Sequence, residues 1–92
     1  MRTFKNIASL VRKKRTNHPN SYSQTELSLL LGYKNGQFIS NVERGKCSIP
    51  LKSLRSISRA LDINPEELKE AMIKDYSDTI SKFILTRDTI VF

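Results

Sequence analysis

The stretch from Ser23 to Gly45 leaves room for little except two short helices and a tight turn between them. It opens on Ser23-Gln24-Thr25-Glu26, a serine followed three residues later by a glutamate. That pair reciprocally satisfies free amides at a helix start. Leu27, Leu30 and Leu31 then recur at the spacing of one buried helix side. Gly32, which tolerates left-handed backbone angles, stops the run. After Tyr33-Lys34-Asn35-Gly36 a second run carries Phe38, Ile39 and Val42 and ends at Arg44-Gly45. With those three apolar residues turned inward, Gln37, Ser40, Asn41 and Arg44 fall on the outer side. Amide side chains can bond bidentately to an adenine edge, and serine to several bases, so this face suits a major groove. A merely solvated helix would more often carry Glu and Lys there.

The flanking sequence is helical as well. Phe4, Ile7, Ala8 and Val11 predict a first helix, with Thr3 as its cap and the basic run Arg12-Lys13-Lys14-Arg15 at its end. Those cations either offset the helix dipole or touch DNA. The turn-rich loop Thr16–Ser21 follows, and its lone His18 reads as a surface histidine without companion metal ligands. Pro50 opens a fourth helix whose face is Leu51, Leu54, Ile57, Ser58 and Leu61. Asn64-Pro65-Glu66-Glu67 starts a fifth: an Asn cap, a first-turn Pro, then acids at the positive dipole end. Leu68, Met72, Tyr76, Ile80 and Phe83 or Ile84 continue it as one long helix, or as two broken near Tyr76-Ser77-Asp78. The final residues, Asp88 to Phe92, favour a short strand or an arm.

Charge points the same way. Residues 1–46 hold nine Lys/Arg and two acids, whereas residues 47–92 hold seven of each, so the whole net charge of +7 lies in the first half. A one-sided basic chain is drawn to duplex DNA whatever its sequence. At 92 residues the chain has room for one compact domain. No apolar run is long enough for a membrane span, and no signal peptide is evident. The single cysteine, Cys47, cannot form an internal disulfide; together these features predict a cytoplasmic protein. Cys47 itself reads as an inert small residue rather than a redox switch. Catalysis lacks its parts: there is no ligand-spaced His/Cys/carboxylate cluster, no phosphate-cradling glycine loop and no nucleophile triad. The expectation is a non-enzyme with no metal, no cofactor and no small-molecule substrate.

Several blocks together resemble the Cro/phage-repressor type of helix-turn-helix, the XRE family. They are Ser23-Gln24-Thr25-Glu26-Leu27, Leu31-Gly32, Ile39-Ser40-Asn41-Val42-Glu43-Arg44-Gly45, Pro50, Leu54, Ala60-Leu61 and Asn64-Pro65-Glu66-Glu67-Leu68. The resemblance spans roughly Phe4 to Leu68. It implies an all-α, five-helix, lambda-repressor-like bundle whose third helix enters the major groove, with dimers on a pseudo-palindromic operator. It implies that Gln37, Ser40 and Asn41 read bases, and that Ser23, Gln24, Lys46 and Lys52 meet phosphate. Glu43 would pair within the domain, and Arg44 would reach either that pair or a phosphate. Two departures stand out. The connection from Gly32 to Ile39 is one residue longer than the common form. Gly36 also occupies a place that often carries a base-reading side chain, which leaves its part to Asn35, among the base readers, or Lys34, among the phosphate contacts.

These readings predict a DNA-binding domain over 1–68 and a C-terminal extension over 69–92. Within the extension, Tyr76, Ile80, Phe83 and Ile84 are assigned to dimerisation. The predicted function is a bacterial or phage-derived transcriptional repressor that binds double-stranded DNA as a homodimer. The alternative is an antitoxin or accessory protein that captures a protein partner through the extension and autoregulates through DNA.

Overall fold

The computed structural model describes residues 4–85, and within them the chain is five helices: α1 (Lys5–Asn17), α2 (Gln24–Leu30), α3 (Gln37–Glu43), α4 (Leu51–Leu61) and α5 (Pro65–Leu85). The expected Thr3 cap and the strand-favouring tail lie outside the described residues. α5 is a single unbroken helix, which settles the alternative left open at Tyr76-Ser77-Asp78.

The local signals behave as their chemistry requires. At α2 the Ser23 hydroxyl accepts from the Glu26 amide (2.9 Å) while the Glu26 carboxylate accepts from the Ser23 amide (2.8 Å). Asn64 caps α5, its side-chain oxygen accepting from the Glu66 amide at 2.9 Å. Gly32 has φ of 94°, the left-handed backbone that its position after α2 demands. Pro50 takes the cap position of α4, one residue before the helix proper.

The core is assembled from every element: Ile7 and Val11 of α1, Leu27 of α2, Ile39 and Val42 of α3, Ile57 and Leu61 of α4, Leu68 of α5, and Ile49 and Ile63 of the connections. Two leucines expected inside are not. Leu30 is 57% exposed and Leu51 is 81% exposed. The cause is the same in both helices: a buried serine displaces the leucine from the inward face. Ser28 is fully buried and its hydroxyl accepts from the Ile39 amide at 3.1 Å, which rotates α2 toward α3. Ser53 is buried within 2.8 Å of the Tyr33 hydroxyl, which rotates α4 away from Leu51. Binary patterning places leucine inside, but a buried hydrogen bond sets the final rotation.

Phe4, at the cap position of α1, makes no side-chain cap bond. Asp75 of α5 supplies one from the far end of the chain. Its buried carboxylate accepts from the amides of Asn6 (2.9 Å) and Ile7 (3.0 Å) and from the Asn6 side chain (2.8 Å). These are the free amides at the positive end of the α1 dipole, where a negative charge is favoured. α5 is thereby fixed along α1, with Lys14 and Glu67 paired at 3.2 Å farther along. Beyond Asp75 no α5 residue from 76 to 84 is buried, so this part of the helix contributes little to the core.

His18 is more enclosed than a surface residue. Its side chain is 9% exposed, stacked on Tyr22 and within 3.0 Å of the Asp62 carboxylate, while Nδ1 accepts from the Asn20 amide. It ties the loop after α1 to the end of α4, where Asp62 takes left-handed backbone (φ 54°).

Replacing Asp75 with Ala strands two α1 amides and is expected to cost about 2–3 kcal/mol of folding free energy. Urea denaturation of Asp75→Ala against the parent checks this, and a loss below about 0.5 kcal/mol would mean that water caps α1 equally well.

Candidate nucleic-acid interface

α2 and α3 are joined by the turn at Gly32–Gly36 and held by three features. One is the Ser28–Ile39 bond already described. A second is the Tyr33 ring stacked on Phe38, centroids 3.9 Å apart. The third is Gly36. A Cβ there would lie 2.5 Å from the Thr25 hydroxyl oxygen and 3.1 Å from the Thr25 Cα, so only glycine lets the start of α3 press this closely on α2. Its place in the turn follows from this approach, and the resemblance's missing side chain has a steric reason.

The rotation of α3 follows from burial. Ile39 and Val42 are fully buried, and each contributes about 1.5–3 kcal/mol by leaving water. The opposite side therefore faces out. On it the Gln37 amide donates to the Asn41 side-chain oxygen (3.0 Å), and the Arg44 guanidinium donates to the same oxygen (3.0 Å). Gln37, Asn41 and Arg44, at i, i+4 and i+7, form a hydrogen-bonded polar stripe along the outer edge of the helix. Ser40 is half-buried beside it. Asn35 lies just ahead, its side-chain oxygen accepting from the Gln37 backbone amide (2.9 Å), one of the free amides at the start of the helix. Lys34, Lys46 and Lys52 are exposed on the segments that flank α3.

Behind the stripe lies the node that fixes α3 to α1 and α2. The Glu43 side chain is 3% exposed. Its two oxygens accept a bidentate pair from Arg15, at 2.6 and 2.9 Å, and the Gln24 amide donates to it at 2.9 Å. Arg15 also donates to the Tyr22 carbonyl (3.1 Å), and its hydrogen bonds with Glu43 raise the guanidinium pKa above its usual value. The resemblance implies an internal pair for Glu43, and its partner is Arg15, which local sequence groups with the helix-end or DNA-contacting cations. Arg44 does not join this pair but turns to Asn41. Lys14 is taken up by Glu67, whereas Arg12 and Lys13 make no ion pair among the described residues. Gln24 sits at the start of α2 with one amide hydrogen given to Glu43, which leaves its second for a ligand. Ser23 is engaged as the helix cap.

Cys47 is half-buried near this surface, and burial pushes its thiol pKa up, away from the reactive thiolate. No group of metal-ligating side chains occurs among the described residues. No helix there is long and apolar enough to cross a membrane.

A helix-turn-helix family model matches residues 11–68 of the chain, from the middle of α1 to the start of α5. The chain belongs to the Cro/phage-repressor (XRE) helix-turn-helix family. As a member it is a DNA-binding transcription regulator, and its five-helix all-α architecture is that of the family. No curated relative and no solved structure matches it. In this helix-turn-helix protein α2 and α3 are the paired helices, and the outer edge of α3 carries the polar stripe.

Removing one partner of a buried ion pair costs more than removing both. Glu43→Ala is expected to lower stability by about 3 kcal/mol, and Arg15→Met with Glu43→Leu to recover most of the loss. Chemical denaturation of the two variants measures the difference; equal losses would show that the node is not a coupled pair.

Proposed function

We propose that this regulator is a repressor that binds a pseudo-palindromic operator as a homodimer and blocks transcription by occupying it. The observation that carries the reading is the Gln37–Asn41–Arg44 stripe, held outward by Ile39 and Val42 on a domain whose net positive charge lies in the same half of the chain. In this reading Gln37 and Asn41 bond base edges, with Ser40 and Asn35 beside them. Lys34, Arg44, Lys46 and Lys52, with the α2 start at Ser23 and Gln24, hold the phosphates on either side. The hydrogen bond between Gln37 and Asn41 orients both amides before DNA arrives, so less side-chain entropy is lost on binding.

The dimer is assigned to the second half of α5. Ile73, Tyr76, Ile80 and Phe83 recur at alternating spacings of three and four, the seam of a two-helix coiled coil, with Ile84 beside it. Tyr76 is 64% exposed and Ile84 is 62% exposed. Contiguous exposed apolar surface of this kind is a marker of association. The same face supports the second reading, an antitoxin or accessory protein whose partner covers α5 in place of a second copy. The two separate by the state of the pure chain.

Gln37→Ala and Asn41→Ala are each expected to cost about 1–3 kcal/mol on a site selected from a random duplex library. Because the two amides bond each other, the double variant should lose less than the sum. Fluorescence anisotropy measures all three; parental affinity in both single variants would end the base-reading role. Lys46→Ala should weaken binding to every duplex alike and flatten the salt dependence.

Ile80→Asp is expected to convert a dimer to a monomer in sedimentation equilibrium and to weaken binding to a full palindrome far more than to a half-site. A parent chain that is already monomeric at tens of micromolar, roughly the range of weak association, would remove the homodimer and favour the partner reading.

A further inference from the structure

The face between α4 and α5 has no part in base reading. A groove of about 660 Å³ runs there, lined by Pro65 and by the buried or half-buried side chains of Leu54, Leu68 and Met72, which form its floor. Three cations rim it: Arg55 and Arg59 on the α4 bank, Lys69 on the α5 bank. All three are exposed, no acidic side chain lines the groove, and none of the three makes an ion pair among the described residues. The polar side chain at the base, Ser58, is already spent: its hydroxyl donates to the Ile63 carbonyl at 2.7 Å. The groove therefore offers apolar contact inside and unneutralised positive charge at the edge.

Shape and charge together select an occupant. Arg55 and Arg59 stand at i and i+4, about 6 Å apart along one line of the helix. A second helix lying in the groove presents carboxylates at the same spacing when they too recur at i and i+4. Its apolar side chains at i, i+3 and i+7 would then meet the floor, the helix-in-groove arrangement. DNA supplies the charge but has no apolar side chain to fill the floor. A second copy of this chain would set the cationic rim against itself across a two-fold contact, because such a contact uses the same patch twice. We infer that the α4–α5 groove docks an acidic amphipathic helix of another protein. The partner is recognised by a stripe of apolar residues flanked by glutamates or aspartates at helical spacing. Docking leaves α3 open, so partner and DNA can be held together.

The test uses the full-length, isotope-labelled chain and two synthetic helical peptides. One carries Leu on a stripe flanked by Glu at i and i+4; the other has Lys in place of each Glu. The Glu peptide should move the amide resonances of Leu54, Ser58, Leu68 and Met72 and bind about tenfold more tightly than the Lys peptide. Arg55→Glu with Arg59→Glu should reverse that preference, and the single exposed substitution Lys69→Glu should weaken the Glu peptide alone. Arg55→Gln with Arg59→Gln should weaken the Glu peptide and leave the salt slope of duplex binding unchanged. The inference is overturned if the Glu peptide leaves those amides in place, or moves instead those of the second half of α5. It is equally overturned if the groove amides shift with the concentration of the chain alone, which would mark a second copy as the occupant. A flattened salt slope in the Gln variant would assign the arginine row to DNA.

Discussion

One buried carboxylate holds this domain in the shape that DNA recognition needs. Glu43 ends α3, and around it converge Arg15 from α1 and Gln24 from α2. Taking a carboxylate and a guanidinium out of water costs several kcal/mol per ion. The pair repays that cost only because its geometry is bidentate and the remaining acceptor capacity is used by Gln24. What it contributes is placement. An apolar contact of equal area would hold α3 against α1 but would leave it free to slide or turn. A fork of two parallel bonds does not. With the end of α3 pinned by Glu43 and its start pinned by Gly36 and the Ser28 hydroxyl, the orientation of Gln37, Asn41 and Arg44 follows with no further constraint.

The same economy appears at α1. Phe4 at its cap position makes no side-chain cap bond, and Asp75, 69 residues from Asn6, accepts from the amides of its first turn. Two acidic side chains thus join distant parts of the chain, one at each end of α1, while the apolar core fills the space between. Among the described residues no buried side-chain nitrogen or oxygen lacks a partner. A small domain has little apolar area to draw on, and fully satisfied polar joints of this kind fix the relative position of short helices that could not hold themselves.

Much of this was legible in the residues. The capping box at Ser23, the stop at Gly32, the Asn64 cap and the inward set Ile39 and Val42 follow from local chemistry, and local chemistry won at each. The outward stripe was legible for the same reason, since two buried residues fix a two-turn helix. What was not legible depends on contacts between segments far apart in sequence. Nothing near Arg15 marks it as the partner of Glu43, because the surrounding Arg12-Lys13-Lys14 read as a solvated helix end. Asp75 carries no local signal either, because the amides it accepts from, at Asn6 and Ile7, lie 69 and 68 residues away. Helical spacing places Leu30 and Leu51 inside, whereas the buried Ser28 and Ser53, bonded to the Ile39 amide and near the Tyr33 hydroxyl, take the inward positions instead. His18 was read as exposed because its partner Asp62 is 44 residues away. Gly36 could be seen to lack a side chain, but not that Thr25 forbids one.

Contact between the amide edge of α3 and base pairs is read most directly in the side-chain amide spectrum of the isotope-labelled chain bound to its selected duplex. The Gln37 and Asn41 side-chain amides are expected to shift and to show magnetisation transfer to base protons in that duplex, and to lose both in a duplex of shuffled sequence. Side-chain amides that stay at their free positions while phosphate-facing lysines respond would contradict it.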